Sequence, residues 1–296
     1  NRNQIGAVVG SQPFGGEGLS GTGPKAGGPG YLPRLVHFPG DAAAVVGAFT
    51  SPAPARPSTL RPQPPGPTAE AFAARVSAAA DGIDAGSWAA RSDRLAVLRR
   101  TLGAGLSERS GHLFEALGRM AAGAGGELTL PGPTGESNRL WHAPRGTSLC
   151  LGPGRMFLLA QALQALAGGG GAVLVAALDG GIDQAALEEI HSWQAHGLPL
   201  AVIEVSKMPP DAGWLRTVSG VALAAYNGPQ EQARALRQAL AGREGAILPL
   251  VTEAVAPARY LLERVLCIDT TAAGGNASLL AAADGAAPLA VSGGGI

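Results

Sequence analysis

An excess of charge of either sign is the first thing this sequence lacks: Lys+Arg and Asp+Glu each number 22, for a formal net charge of zero. A protein that grips nucleic acid by its phosphates needs a basic face, so no nucleic-acid partner is expected from this chain. Aromatic residues are scarce, at 4 %, whereas hydrophobic residues reach 46 %. That is ample for a buried core, and the core must be built from Ala, Leu and Val. Cysteine is nearly absent too. Cys150 and Cys267 both sit in apolar runs and are too few for a disulfide framework. A reducing, cytoplasmic setting fits that usage. No apolar run approaches the roughly 20 residues that a spanning helix needs, so no transmembrane segment is expected. No secretory signal is visible either. The five histidines (His37, His112, His142, His191 and His196) have no cysteine partners at metal-ligand spacing, and no metal site is expected. No G-x-S-x-G elbow occurs, which disfavours an α/β-hydrolase.

What is present falls into distinct stretches. The chain begins Asn1-Arg2-Asn3, without Met, and enters a dense Gly-rich motif at once, which reads as a piece of a longer polypeptide. Residues 1–38 read as loops with short strands, Tyr31 to Phe38 being one candidate. Seven prolines between Pro52 and Pro67 mark a stiff, extended linker. Thr68 can cap a helix carrying Phe72, Val76 and Ala79 on one face. Ser92 or Asp93 can cap a second, with Leu95, Leu98, Leu102 and Leu106 on its face. A third helix is expected over Leu113–Ala122. Strands and helices then alternate: strand Thr147–Leu151, helix Phe157–Ala167, strand Ala172–Ala177, helix Gln184–His196, strands Leu200–Val205 and Val221–Tyr226, helix Pro229–Ala241, and strands Ala246–Val251 and Val265–Asp269. Short, continuously apolar strands alternating with helices predict an α/β fold, a parallel sheet covered by helices on both faces.

The most specific motif is Gly6-Ala7-Val8-Val9-Gly10-Ser11-Gln12-Pro13-Phe14-Gly15-Gly16, followed by Ser20-Gly21 and Gly23-Pro24-Lys25-Ala26-Gly27-Gly28-Pro29. The Pro-Phe-Gly-Gly element resembles the aldehyde dehydrogenase superfamily near the end of its catalytic domain. The longer form resembles the glutamate-semialdehyde dehydrogenase module of the proline utilization A family. Pro131–Asn138 and Asp269–Leu280 resemble segments of that family's C-terminal domain, the second resembling its closing motif. The family's commoner Asn-Thr-Ala is replaced there by Asp269-Thr270-Thr271.

The resemblance implies an aldehyde-dehydrogenase-like Rossmann architecture preceded by the end of a catalytic domain. It places that end at 1–38, a Pro-rich linker at 39–68, a non-catalytic α/β domain at 69–271 and a Gly/Ala-rich tail at 272–296. Residues 281–296 extend past the closing motif and are expected to be disordered. It implies a parent enzyme that uses FAD to oxidise proline and NAD to oxidise glutamate semialdehyde, the open form of pyrroline-5-carboxylate. In the family, two consecutive backbone N–H groups bind the substrate's α-carboxylate, and by position these are Gly6 and Ala7. Adjacent amides can form an anion nest without a cationic side chain. The family aromatic that packs on the substrate's aliphatic part falls on Phe14. The catalytic cysteine, the catalytic asparagine and the NAD-binding elements lie upstream in the family, so no catalytic, cofactor or metal residue is assigned here. By chain order neither Cys150 nor Cys267 is the nucleophile. The domain and closing motif are implied to cover the cavity through which the intermediate passes. The remainder of the parent chain is the implied partner, and a homodimer is among the assemblies the resemblance allows.

Two alternatives remain open from the residues alone. One is a stand-alone, non-catalytic pseudo-dehydrogenase module that docks on another protein. The other is an independent nucleotide-binding α/β protein. Gly16–Gly21 matches G-x-G-x-x-G literally, but no capped helix follows and Pro24 intervenes. Ala177-Leu178-Asp179-Gly180 puts an acid where a dehydrogenase would meet its cofactor with a basic or hydroxyl group.

Overall fold

The chain turns helical at Thr68, whose hydroxyl accepts the Ala71 N–H at 3.2 Å and satisfies one of the orphan donors of a helix start. The computed structural model describes residues 6–35, 67–109, 111–124, 126–178 and 182–269. Most of the expected linker, the closing run after Asp269, the tail, and Asp179-Gly180 lie outside the described residues, as does the Leu106 side chain.

Helix α1 spans Ala69–Asp81 and buries Phe72, Ala73, Val76 and Ala80. A single turn, α2 (Gly86–Ala89), buries Trp88, whose indole donates to the Leu166 carbonyl at 2.7 Å. Helices α3 (Arg94–Arg109) and α4 (Gly111–Ala124) follow, with Leu98 fully buried and Leu102 nearly so, as the spacing of the leucines required. Two strands come next, β1 (Leu128–Leu130) and β2 (Glu136–Pro144). The alternating part is β3 (Ser148–Cys150), α5 (Gly154–Ala167), β4 (Ala172–Ala177), α6 (Gln184–Ala195), β5 (Leu200–Val205), β6 (Leu223–Ala225), α7 (Gln230–Ala241) and β7 (Leu250–Val251). The last strand is β8 (Leu261–Asp269).

Five strands form a parallel sheet in the order β5-β4-β3-β6-β7. Side chains alternate between its faces, as strand geometry demands. Leu174, Ala176, Cys150 and Leu223 join one apolar layer with α3, α4, α5 and α6. Val173, Val175, Leu149 and Ala224 join the other with α1 and α7. On that second face Phe72 meets Trp214 edge to face, with centroids 4.6 Å apart. The fold is therefore α/β, a parallel sheet with helices on both faces.

Three local differences from the sequence reading stand out. The expected strand at Tyr31–Phe38 is a 3-10 helix at Leu32–Leu35, and Phe38 lies outside the described residues. Pro33 brings no ladder donor there, and its fixed φ suits a helical turn. The strand expected at Val265–Asp269 starts earlier, at Leu261, and does not enter the parallel sheet. It pairs antiparallel with β2 over nine residues, from Glu136↔Asp269 to Pro144↔Leu261. With β1 on the far side of β2, this makes a separate three-stranded sheet. Strand β2 was hidden in the sequence because a polar residue, Asn138, points inward at 1 % exposure and spoils the apolar alternation.

Candidate functional site

Gly6 has φ of 79°, a left-handed conformation that glycine adopts freely, and it turns the backbone into the motif. Among the described residues, no hydrogen-bond partner is found for the Gly6 or Ala7 N–H. From Val8 onward the loop closes on itself. The Ser11 and Gln12 N–H groups both donate to the Val8 carbonyl, at 3.1 and 2.8 Å. The Gln12 side chain accepts the Val8 N–H at 3.1 Å. Gly10 N donates to Gly27 O, and Phe14 and Ala26 exchange two backbone hydrogen bonds at 3.1 and 2.7 Å. Ala26 and Gly27 are thereby folded back on the first part of the motif. Gly16 is needed for close packing, since a Cβ there would lie 1.7 Å from Ser20 Oγ.

The sequence-derived residues thus sit on one compact loop. Gly6 and Ala7 precede the Gln12-closed turn, and Phe14 follows it, the residue 41 % exposed. An exposed aromatic is available for an apolar ligand surface; a buried one would not be.

Five long-range contacts fasten this segment across the antiparallel sheet and its surroundings. Gln12 Nε2 donates to Glu136 Oε1 at 2.5 Å. The Lys25 N–H donates to Glu263 Oε2 at 2.5 Å. Arg264 pairs with Glu17 at 2.9 Å, and the Ile247 N–H donates to Gly18 O at 2.8 Å. Arg145 donates to the carbonyls of Thr22, Arg259 and Leu261 at 2.7, 2.9 and 3.0 Å. Burial lowers the Arg145 pKa to about 10, and Arg259 and Arg34 nearby push the same way. The guanidinium still carries its charge at neutral pH. Sequence reasoning missed this docking, because no local pattern links residues so far apart in the chain.

A concavity of about 560 Å³ opens at the C-terminal ends of β3, β4 and β6. Its lining includes Leu151, Gly152, Ala177, Lys207, Tyr226 and Glu231. Doubly wound sheets hold ligands at this place. Here the first turn of α7 carries Glu231, and a carboxylate opposes a pyrophosphate at a helix N-terminus. The wall is held by Gln161, 1 % exposed, which exchanges two 3.0 Å hydrogen bonds with the Gly152 backbone and donates to Asn227 Oδ1 at 2.5 Å. No helix follows Gly16–Gly21, the next element being the 3-10 turn at Leu32–Leu35.

Cys150 is fully buried in the core, and burial pushes its thiol pKa far up, away from a reactive thiolate. Cys267 is partly buried on β8. Among the described residues no group of His, Cys, Asp and Glu could hold a metal ion, and no helix is long and apolar enough to cross a membrane.

No family model matches the chain. Among curated proteins it is 34 % identical over 286 residues to the bifunctional protein PutA of Escherichia coli K12, covering 95 % of this chain and 18 % of that protein. It is 33 % identical over 285 residues to PutA of Salmonella typhimurium LT2 (95 % and 18 %) and 34 % identical over 303 residues to PutA of Rhizobium meliloti (95 % and 19 %). The chain therefore spans less than a fifth of the length of these relatives. Among solved structures it resembles a bifunctional proline utilization A protein, with TM-score 0.47, 24 % identity and coverage of 76 % of this chain and 24 % of that one. An aldehyde dehydrogenase from Brucella melitensis gives TM-score 0.46 at 19 % identity, over 57 % of this chain and 42 % of that one. The sheet order and its two helical layers, rather than these superpositions, assign the fold.

Proposed function

The chain is homologous to the bifunctional PutA proteins along nearly its whole length, and from that premise we propose that it is part of an enzyme oxidising proline to glutamate. Its own share is the substrate loop of the NAD-dependent glutamate-semialdehyde dehydrogenase, with a non-catalytic domain that holds this loop in place. Residues 1–38 end the catalytic domain, 39–68 link, 69–271 form the non-catalytic domain and 272–296 the tail.

The observation that carries this reading is the Gly6–Phe14 loop: two successive amides without a partner among the described residues, beside a turn closed by Gln12, with an exposed aromatic beyond it. Adjacent N–H groups suit a carboxylate. Holding the carboxylate at Gly6 and Ala7 and the methylenes on Phe14 would fix both ends of the substrate and present its aldehyde to a nucleophile supplied by the rest of the parent. Orientation of that kind is worth up to about 7–11 kcal/mol of barrier in favourable cases. When bound elsewhere in the parent, NAD supplies the hydride acceptor for the aldehyde and FAD the acceptor for proline. This chain is assigned no NAD site, because Glu231 in the first turn of α7 would repel a pyrophosphate approaching that helix start.

The domain also covers, in this reading, the cavity between the two active sites, and the parent works in the cytoplasm, in keeping with two cysteines free of disulfides. The experiment is an NADH assay on the full-length protein and on residues 1–296 alone. Semialdehyde-dependent NADH from the full-length protein, and none from residues 1–296, is the expected outcome. Turnover by residues 1–296 would place the nucleophile inside this chain and overturn the assignment. An inert full-length protein would favour the stand-alone interaction module.

A further inference from the structure

We propose that Glu136, on strand β2 of the non-catalytic domain, is a positioning residue for the substrate loop and acts through Gln12. The inference rests on the reading of Gly6 and Ala7 as the carboxylate anchor.

An ionised carboxylate only accepts hydrogen bonds. Glu136 Oε1 receives Gln12 Nε2 at 2.5 Å and Asn138 Nδ2 at 2.6 Å. A side-chain amide that gives its nitrogen to a carboxylate must turn its oxygen the other way. Glu136 therefore decides which end of Gln12 faces the loop, and that end accepts the Val8 N–H at 3.1 Å. The Val8 N–H belongs to the peptide unit joined directly to Ala7. Its direction constrains the plane that follows the two anchoring amides. Without Glu136 the Gln12 amide can rotate, present its NH2 to the Val8 N–H, and release the turn.

The supports around Glu136 are built for this contact. Gln12 is 6 % exposed and Asn138 1 % exposed, so water competes weakly for either amide. The Glu136 N–H donates to Pro133 O at 3.0 Å, closing the turn that delivers the carboxylate. Asn138 Nδ2 also donates to Pro131 O at 3.0 Å. That commitment leaves Asn138 Oδ1 buried with no hydrogen-bond partner. The nitrogen belongs on this side because both groups it faces, Pro131 O and Glu136 Oε1, are acceptors. The Pro131–Asn138 run is thereby accounted for as the base on which the loop rests.

The test is steady-state kinetics of the full-length protein with two aldehydes, glutamate semialdehyde and butyraldehyde, which lacks the carboxylate. Glu136→Ala is expected to raise KM for the semialdehyde by roughly tenfold and to leave KM for butyraldehyde unchanged. Glu136→Gln keeps an acceptor oxygen and is expected to behave as wild type. Gln12→Ala should match Glu136→Ala, and the double variant should be no worse than either, because both act along one path. A KM for the semialdehyde unmoved by Glu136→Ala, or KM values for the two aldehydes raised alike, overturns the proposal. If Glu136→Ala does not accumulate, Gln12→Ala carries the same comparison with the same two outcomes. Hydrogen exchange at the Val8 amide gives a readout independent of substrate identity. Faster exchange in Glu136→Ala with protection kept in Glu136→Gln supports the positioning role, and equal protection in all three proteins overturns it. A wild-type protein inert toward the semialdehyde would sink the substrate reading alone, and Val8 exchange would then decide the role of Glu136.

Discussion

In the full-length protein, Ala7→Pro is expected to lower kcat/KM for glutamate semialdehyde by about ten- to a hundredfold, while kcat/KM for butyraldehyde stays within a factor of about two of wild type. Proline deletes one backbone N–H and adds no charge. A hydrogen bond to a charged group contributes about 1.5–3 kcal/mol, and about 1.4 kcal/mol is tenfold. Only a substrate with a carboxylate should notice the loss. Equal losses with both aldehydes would mean that the loop had merely been distorted. No loss with either would remove Ala7 from the site.

Arg145→Ala is expected to lower the unfolding free energy of residues 1–296 by about 2–4 kcal/mol and to leave residues 6–35 open to protease. Arg145 alone ties Thr22 in the Gly-rich segment to Arg259 and to Leu261, the first residue of β8. Removing it strands three carbonyls at a partly buried junction. Arg145→Lys should not restore stability, since an ammonium lacks the planar fork that reaches three acceptors at once. Urea unfolding followed by limited proteolysis reads both effects. A variant with wild-type midpoint and wild-type protection would show that the segment is held by other contacts.

How much of this was legible in the sequence depended on whether the pattern was local. Strand β4 falls on the expected residues because it is an uninterrupted apolar run after a glycine, as a strand buried on both faces should be, and β5, at the sheet edge, keeps an apolar run after Pro199 broken only by the exposed Glu204. The N-cap at Thr68 was likewise readable, since capping is a contact three residues long. Strand β7 is shorter than the expected Ala246–Val251, with Pro249 just before it and unable to donate to a ladder. Strand β2 escaped because Asn138 takes an inward position that the pattern reserves for an apolar residue. The Gly6–Phe14 loop was readable from its motif. Its supports were not: Glu136, Arg145 and Glu263 lie 124, 123 and 238 residues from the groups they hold, and nothing near any of them in the chain signals the pairing.

In the proposed function the Gly6 and Ala7 amides anchor the substrate's carboxylate. A crystal structure of the full-length protein with L-glutamate, the expected product, tests it most directly. The α-carboxylate oxygens should lie about 2.7–3.2 Å from Gly6 N and Ala7 N, with the methylenes against the Phe14 ring. Glutamate bound with its α-carboxylate on a side-chain cation, and both amides facing water, would contradict it.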